Sequence, residues 1–384
     1  MNVLFLSPAF PPTAPAFCEA LAAQGVTVLG VGDEPLRPDS SLHAVLRDYV
    51  HEPRMSEHEV LRQRVQELSR AHGPIDRVDS NGEHWLLAEA RLRDDFGITG
   101  LSSAELKRQR SKLRMAQIFA GASIPHPPTI SAADGSRVQR FASEHGFPLV
   151  FKPDTGSGAV DTFRVPSEGV LKTVLERHLD AHVVQPFVEG DIITFDGLTD
   201  RTGRIVFETS HVYDTGIMQI REQTLDGHYY SLRELPAQLQ DVGRRAVAAF
   251  DIRERFFHLE LFRGDDSSLT ALEMNLRPPG GFSTDLMNAA TGANIYALWA
   301  AILAGKDVGD FRYERRFHTA HAGRRAGRNY RVPAAELTAA LGEMLFAERA
   351  IPRAFADTMG DVAYLLRHDD LDELRRGIQL VQGT

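Results

Sequence analysis

Phe256-Phe-His-Leu-Glu260-Leu-Phe262, the turn segment Arg263–Ser268, and Leu269-Thr-Ala-Leu-Glu273-Met-Asn275-Leu-Arg277 read together as a β-hairpin. Period-2 alternation puts Glu273, Asn275 and Arg277 on one face of the second strand. Leu272, Met274 and Leu276 then face the other way, into a core. A turn centred between Asp266 and Ser267 sets Glu260 directly opposite Glu273. Two carboxylates facing each other about 5 Å apart at Cβ repel and weaken the pair. A divalent cation removes that penalty, and Glu, Glu and Asn oxygens are the hard donors Mg²⁺ prefers. A register slipped by one residue would leave two glutamates on a solvated face, but the flanking residues are strongly apolar.

Upstream, Phe147-Pro-Leu-Val-Phe-Lys152-Pro-Asp154-Thr-Gly156-Ser157-Gly158-Ala159 delivers a lysine on a strand into a loop of small residues. Gly156 and Gly158 permit positive φ and close backbone approach, so successive N–H groups can cradle phosphate beside the Lys152 charge. The alternative is a hairpin turn with a solvated lysine. It is not a Walker A motif, which needs Gly-Lys-Ser/Thr opening a helix. Val183-Val-Gln185-Pro186-Phe187-Val188-Glu189-Gly190-Asp191 runs an apolar strand into an extended segment whose free main-chain groups can hydrogen-bond a flat heterocycle. Taken alone it reads first as an ordinary strand-to-loop exit.

The 384 residues imply two or three domains at about 150 residues each. With 43% hydrophobic and 25% charged residues, general disorder is excluded. Acidic residues outnumber basic ones 52 to 43, a net charge of −9 that disfavours nucleic acid or an anionic membrane as partner. A single cysteine, Cys18, forms no internal disulfide and suits a reducing compartment as a buried thiol. No apolar run reaches about 18 residues, and no basic segment precedes the first apolar stretch, so a cytoplasmic location is expected.

Asn2–Leu6 reads as a strand, the prolines from Pro8 to Pro15 as a loop, Phe17–Gln24 as a helix and Val26–Val31 as a buried strand. A helix at Glu57–Ala71, a strand at Arg77–Asp79 and a helix at Glu83–Phe96 continue the pattern, which predicts a parallel sheet with crossover helices. No Gly-x-Gly-x-x-Gly follows the first strand, which disfavours a plain dinucleotide fold. Ser103–Ala120 reads as one basic helix ended by Gly121, and Ile124-Pro-His-Pro-Pro128 as an extended linker marking a boundary. Residues 129–305 alternate strands and helices with antiparallel hairpin signals, and a helix at Asp370–Arg376 lies near the end.

These pieces, in this order, resemble the ATP-grasp superfamily of carboxylate–amine ligases. Ser111-Lys112 opening a helix, Val150-Phe-Lys152-Pro with its glycine loop, the Gln185–Gly190 hinge, Glu260, and Glu273-Met-Asn275-Leu-Arg277-Pro-Pro-Gly280-Gly281 carry the resemblance, over roughly residues 100–305. It implies an α/β (α+β) chain in three parts. Residues 1–105 would form a parallel α/β pre-ATP-grasp domain, 106–305 an ATP-grasp fold of two α+β subdomains, and 306–384 a part completing the catalytic domain. It implies that Lys112 and Lys152 contact the α- and β-phosphates of ATP while the Gly156-Ser157-Gly158 loop closes over the γ-phosphate. Adenine would lie against Gln185, Pro186, Phe187 and Val188, taking the Pro186 carbonyl and the Val188 N–H. Glu260, Glu273 and Asn275 would bind one or two Mg²⁺, with Mn²⁺ as a substitute, and Arg277 would hold the transferring phosphoryl group. The family's ribose-binding acid falls on Ile192 here, with Asp191 as its nearest substitute.

The implied reaction is phosphorylation of a carboxylate by ATP and attack of an amine on the acyl phosphate, on amino acids or a small metabolite. Positioning and charge dominate phosphoryl transfer, so the lack of a Ser-His-Asp or Cys-His constellation is expected. Ser210–Tyr230 reads as a polar, loop-like lid in which Asp214 and Arg221 face substrate; Arg221 would pair with its carboxylate or stand solvated, and Arg277 would also reach substrate. Arg324–Arg331 reads as helix-capping or solvated rather than as an anion site, and His318 and His321 as solvated. Alternatives are a bicarbonate-using carboxylase of the biotin-carboxylase type, although no biotin-attachment motif is present, and a catalytically silent nucleotide-binding regulator. A glycosyltransferase-like opening, Phe5-Leu-Ser-Pro-Ala-Phe-Pro-Pro, spans too little to weigh. Small-molecule substrates are expected, and the reading leaves room for a homodimer.

Overall fold

The computed structural model describes residues 1–384 except Ser157, Ala159, Thr215, Ile217, Met218, Gln219, Arg221, Glu222 and Thr384. The strands, in chain order, are β1 (Asn2–Leu6), β2 (Thr27–Gly32), β3 (Leu46–His51), β4 (Arg77–Asp79), β5 (Ile130–Ser131), β6 (Leu149–Pro153), β7 (Phe163–Val165) and β8 (His182–Pro186). They continue with β9 (Asp191–Thr199), β10 (Ile205–Thr209), β11 (His211–Tyr213), β12 (His228–Ser231), β13 (Phe256–Arg263), β14 (Leu269–Asn275), β15 (His318–Arg324), β16 (Leu345–Ala350) and β17 (Val362–His368).

The first four strands form a parallel sheet in the order β3-β2-β1-β4. Helices Ala14–Ala23, His58–His72 and Leu86–Phe96 accompany it, as the alternating pattern predicts. The first helix starts ahead of the expected Phe17 because Pro15 sits in its opening turn, where a missing N–H costs nothing. Strand β3 was not expected: Leu46-Arg-Asp-Tyr-Val-His lacks a clean apolar alternation because it lies at the sheet edge. The third expected helix starts at Leu86, not Glu83.

An antiparallel sheet of order β5-β8-β6-β7 carries Lys152, and a nine-stranded sheet carries the hairpin. Its order is β14-β13-β9-β11-β12-β15-β17-β16, with β10 on β9, so β15 to β17 share one sheet with the hairpin. Phe5 and Phe17 of the first segment meet Phe256 and Trp299 in one buried cluster, with Trp299 edge-on to both Phe5 and Phe17. Burying aromatic surface of this size contributes a few kcal/mol per side chain, roughly. Among the described residues no single helix is long and apolar enough to cross a membrane.

The expected helix Ser103–Ala120 is two helices, Ser103–Arg110 and Lys112–Gly121. Ser102 and Glu105 form a capping box on the first, and the Ser111 side chain accepts from the Arg114 N–H to start the second. The chain breaks at Ser111 because its hydroxyl satisfies a backbone donor there. The final helix runs Leu371–Gln382 under an Asp370 cap, longer than expected.

Candidate active site

Asp154 brings the two lysines together. Its Oδ1 accepts from Ser111 Oγ at 3.0 Å and from the Leu113 N–H at 2.9 Å, and its carbonyl accepts from the Lys112 N–H at 2.8 Å. The helix that opens with Lys112 is thereby docked onto the end of the strand bearing Lys152. Lys112 Nζ donates to the Gly156 carbonyl at 2.8 Å and lies 3.3 Å from Glu273 Oε2. Burial pushes the Lys152 ammonium down to about 8, a fall that Glu273 opposes and Lys112 assists. Gly156 and Gly158 have φ of +127° and +70°, with open space where a Cβ would stand, so backbone conformation rather than crowding selects glycine. Ser157 and Arg221 lie outside the described residues.

Glu260 and Glu273 are cross-strand partners, as the hairpin reading expects. The local course differs. Arg263 pairs with Leu269, centring the turn on Asp266, and a β-bulge between Glu260 and Leu261 absorbs the extra residue. The bulge moves Leu272 off the core face: Ala271, Met274 and Leu276 pack inward, whereas Leu272 lines the cleft. Asn275 Nδ2 donates to Glu273 Oε1 at 3.3 Å, so the amide stands behind the carboxylate. Among the described residues no three His, Cys, Asp or Glu side chains converge as a metal-ready group. The donor set is two carboxylates and an amide, which suits a hard cation that keeps waters and leans on substrate phosphates. Lys112 beside Glu273 and His258 beside Glu260, its Nε2 3.1 Å from Oε1, offset the opposed charges.

A cleft of about 520 Å³ runs from these carboxylates to the hinge, a volume in the range of small-molecule sites. Lys112, Lys152, Gly156, Gly158, Gln185, Pro186, Phe187, Val188, Asp191, Asp214, Glu260 and Glu273 all line it. The Phe187 N–H donates to the Pro148 carbonyl at 3.0 Å, and Leu149 pairs with Pro186. In an antiparallel ladder hydrogen-bonded pairs alternate, so the Pro186 carbonyl turns away from β6. Val188 N–H donates to no backbone carbonyl among the described residues. Gln185 Nε2 is engaged with Thr129 Oγ1 at 2.8 Å. Asp191 is at the rim, its Oδ2 3.0 Å from Arg263 Nη2, and Ile192 lines the cleft beside it.

Arg277 is not among the cleft-lining residues: its Nη1 donates to the Pro278 carbonyl and its Nε lies 3.4 Å from Glu83 Oε2. Glu83, which also pairs with Arg110 at 2.8 Å, belongs to the first α/β segment and carried no sequence signal. His258 was legible, since alternation places it on the face of Glu260.

The expected loop Ser210–Tyr230 contains strands β11 and β12, with His211 fully buried. Its Nδ1 pairs with Asp196, so the polar residues there build a sheet face rather than a loop. Asp214 Oδ2 is 3.3 Å from His228 Nε2. His321 is not solvated: it is buried and stacked on Tyr229 at 5.1 Å, and burial drives it down to about 4. His318 is half-buried, its Nδ1 near the Ser231 carbonyl. Arg324, Arg325 and Arg328 donate to backbone carbonyls, and Arg328 also pairs with Asp226, which makes that cluster structural. Cys18 is buried, and burial pushes its thiol well above the ordinary range.

No protein-family model matches the chain. It is 24% identical over 220 residues to the L-arginine-specific L-amino acid ligase of Bacillus subtilis, covering 54% of this chain and 53% of that relative. The chain thus spans about half the length of that curated relative. The solved L-amino acid ligase of Bacillus licheniformis superposes with a TM-score of 0.78 at 16% identity, covering 99% of this chain and 96% of that one. The biotin carboxylase domain of the Hydrogenobacter thermophilus 2-oxoglutarate carboxylase, solved as a dimer with MgADP, ADP and bicarbonate, superposes at 0.73 with 15% identity, covering 98% and 89%. At these identities the likeness establishes the fold alone: the chain shares the ATP-grasp architecture of these structures, the fold its motif order implies.

Proposed function

We propose that this chain is an ATP- and Mg²⁺-dependent carboxylate–amine ligase that activates a substrate carboxylate as an acyl phosphate and joins it to an amine, releasing ADP and phosphate. The observation that carries this reading is the juxtaposition of opposed Glu260 and Glu273 with buried Lys112 and Lys152 at one end of the cleft. Two acids and two cations gathered on one part of the cleft, with the Pro186 carbonyl turned away from β6 at the hinge, match a nucleoside triphosphate held by base, phosphates and cation. Similarity to an amino acid ligase favours amino acids as substrates. On this reading residues 1–105 form the preceding domain, 106–305 the nucleotide-binding and catalytic domain, and 306–384 complete it.

Lys112 and Lys152 hold the α- and β-phosphates, and the Gly156–Gly158 loop covers the γ-phosphate. Pro186 and Val188 take the adenine edge, and Asp191 the ribose. Glu260, Glu273 and Asn275 hold the cation, which when bound neutralises charge on the β- and γ-phosphates. The substrate carboxylate oxygen attacks the γ-phosphorus, the bond to the β,γ-bridging oxygen breaks, and ADP leaves with that electron pair. The amine nitrogen then attacks the acyl carbon, phosphate leaves with the carbon–oxygen electron pair, and the nitrogen releases its proton to solvent. Arg277, held by Glu83 outside the cleft lining, contributes positive charge toward Glu260 and the phosphoryl group from that position.

Purified protein incubated with ATP, Mg²⁺ and pools of amino acids should release ADP and phosphate only when a productive pool is present. AMP and pyrophosphate would mean adenylation and would overturn the phosphoryl-transfer reading.

A further inference from the structure

The opposed carboxylates of the cleft rest on a second, fully buried layer of charge. β13 pairs with β9 so that His258 faces Asp196 and Glu260 faces Thr194. All four side chains share one face of the sheet. His258 Nδ1 lies 2.6 Å from Asp196 Oδ1, and its Nε2 lies 3.1 Å from Glu260 Oε1. The other Asp196 oxygen, Oδ2, takes His211 Nδ1 at 2.7 Å and Thr194 Oγ1 at 2.5 Å. Asp196 is entirely buried, with both oxygens saturated from three directions, so its position is fixed by the sheet itself.

We infer that Asp196 and His258 are positioning residues that fix the Glu260 carboxylate as a cation ligand, an inference resting on the nucleotide–cation reading of the cleft. The imidazole holds Oε1, and among the described residues the other oxygen, Oε2, accepts no hydrogen bond. One oxygen is therefore anchored and the other is left for the cation. Without the anchor, a glutamate on the rim of a cleft samples several rotamers and meets the cation in only some of them. Loss of an outer partner of this kind typically weakens metal binding about 10–100-fold. Asp196 acts one step further back by orienting the ring, and His211 and Thr194 hold Asp196.

The test is Mg²⁺ affinity measured calorimetrically on the full chain with saturating ADP, beside ADP affinity with a chelator in place of Mg²⁺. His258→Asn keeps a donor near the Nδ1 position but loses the reach to Glu260, and is expected to weaken Mg²⁺ binding about 10-fold or more. His258→Gln puts an amide donor near the Nε2 position and should restore binding to within about 3-fold of wild type. ADP affinity in chelator should be unchanged in both. Equal loss of ADP affinity with and without Mg²⁺ would overturn the positioning role, as would wild-type Mg²⁺ affinity in His258→Asn. Failure of the wild type to bind ADP under either condition would instead sink the nucleotide reading and this inference with it. If the variants do not fold, the wild type still decides: the ¹⁵N-labelled His258 ring should shift on adding Mg²⁺ to the ADP complex, and no shift would contradict the inference.

Discussion

Glu273→Ala is expected to lower ADP formation by about a thousand-fold or more while the protein stays folded. The side chain sits at the meeting point of every charged element of the site: opposite Glu260, 3.3 Å from Lys112 Nζ, and accepting from Asn275. Removing it halves the carboxylate donors for a cation, and losing a well-placed cation costs several kcal/mol of transition-state stabilisation, about three powers of ten in rate at ~4 kcal/mol. The fold should tolerate the change. Lys112 keeps its hydrogen bond to the Gly156 carbonyl, and the cleft admits water to the vacated space. The circular dichroism spectrum and melting curve should stay near wild type. Normal ADP formation by a folded Glu273→Ala protein would remove Glu273 from the cation site.

Lys152→Ala is expected to reduce kcat/KM for ATP about 100- to 1000-fold, the usual loss when one preorganised donor to a developing charge is deleted. Its pH dependence identifies the group. Burial holds the Lys152 ammonium down at about 8, so the free protein carries the charge below that value and loses it above. The kcat/KM profile for ATP, which reports the free enzyme, should therefore fall as pH rises through about 8. Lys152→Ala should lack that descending limb. Glu273 opposes the depression, so Glu273→Ala should shift the limb to lower pH. A wild-type profile flat through that range would contradict a titrating Lys152 on the phosphates.

The pairing of Glu260 with Glu273 was legible because strand alternation and the strongly apolar flanks constrain register tightly. The turn position and the bulge were not: each shifts the register by one residue, and the two offsets cancel at Glu260. Leu272 shows what that cancellation hides, since a uniform alternation sends it inward whereas the bulge turns it to the cleft. Lys112 and Lys152 could be listed from the sequence, but their convergence depends on Asp154 accepting from a helix start some forty residues away. Sequence spacing does not encode such a contact. The same holds for Asp196 beneath His258, which meets it only through β9–β13 pairing, and for Glu83, freed to hold Arg277 by a helix that starts later than its propensity suggests. Local pattern reached the residues that act; long-range pairing chose which of them act together.

The most direct measurement is the fate of carboxylate oxygen. Protein, ATP and Mg²⁺ are incubated with amino acids labelled with ¹⁸O in the carboxylate, and the products are weighed by mass spectrometry. Transfer through an acyl phosphate places one ¹⁸O in the released inorganic phosphate and none in the nucleotide. Appearance of the label in AMP would show adenylation of the carboxylate, and would contradict phosphoryl transfer at the Glu260–Glu273 site.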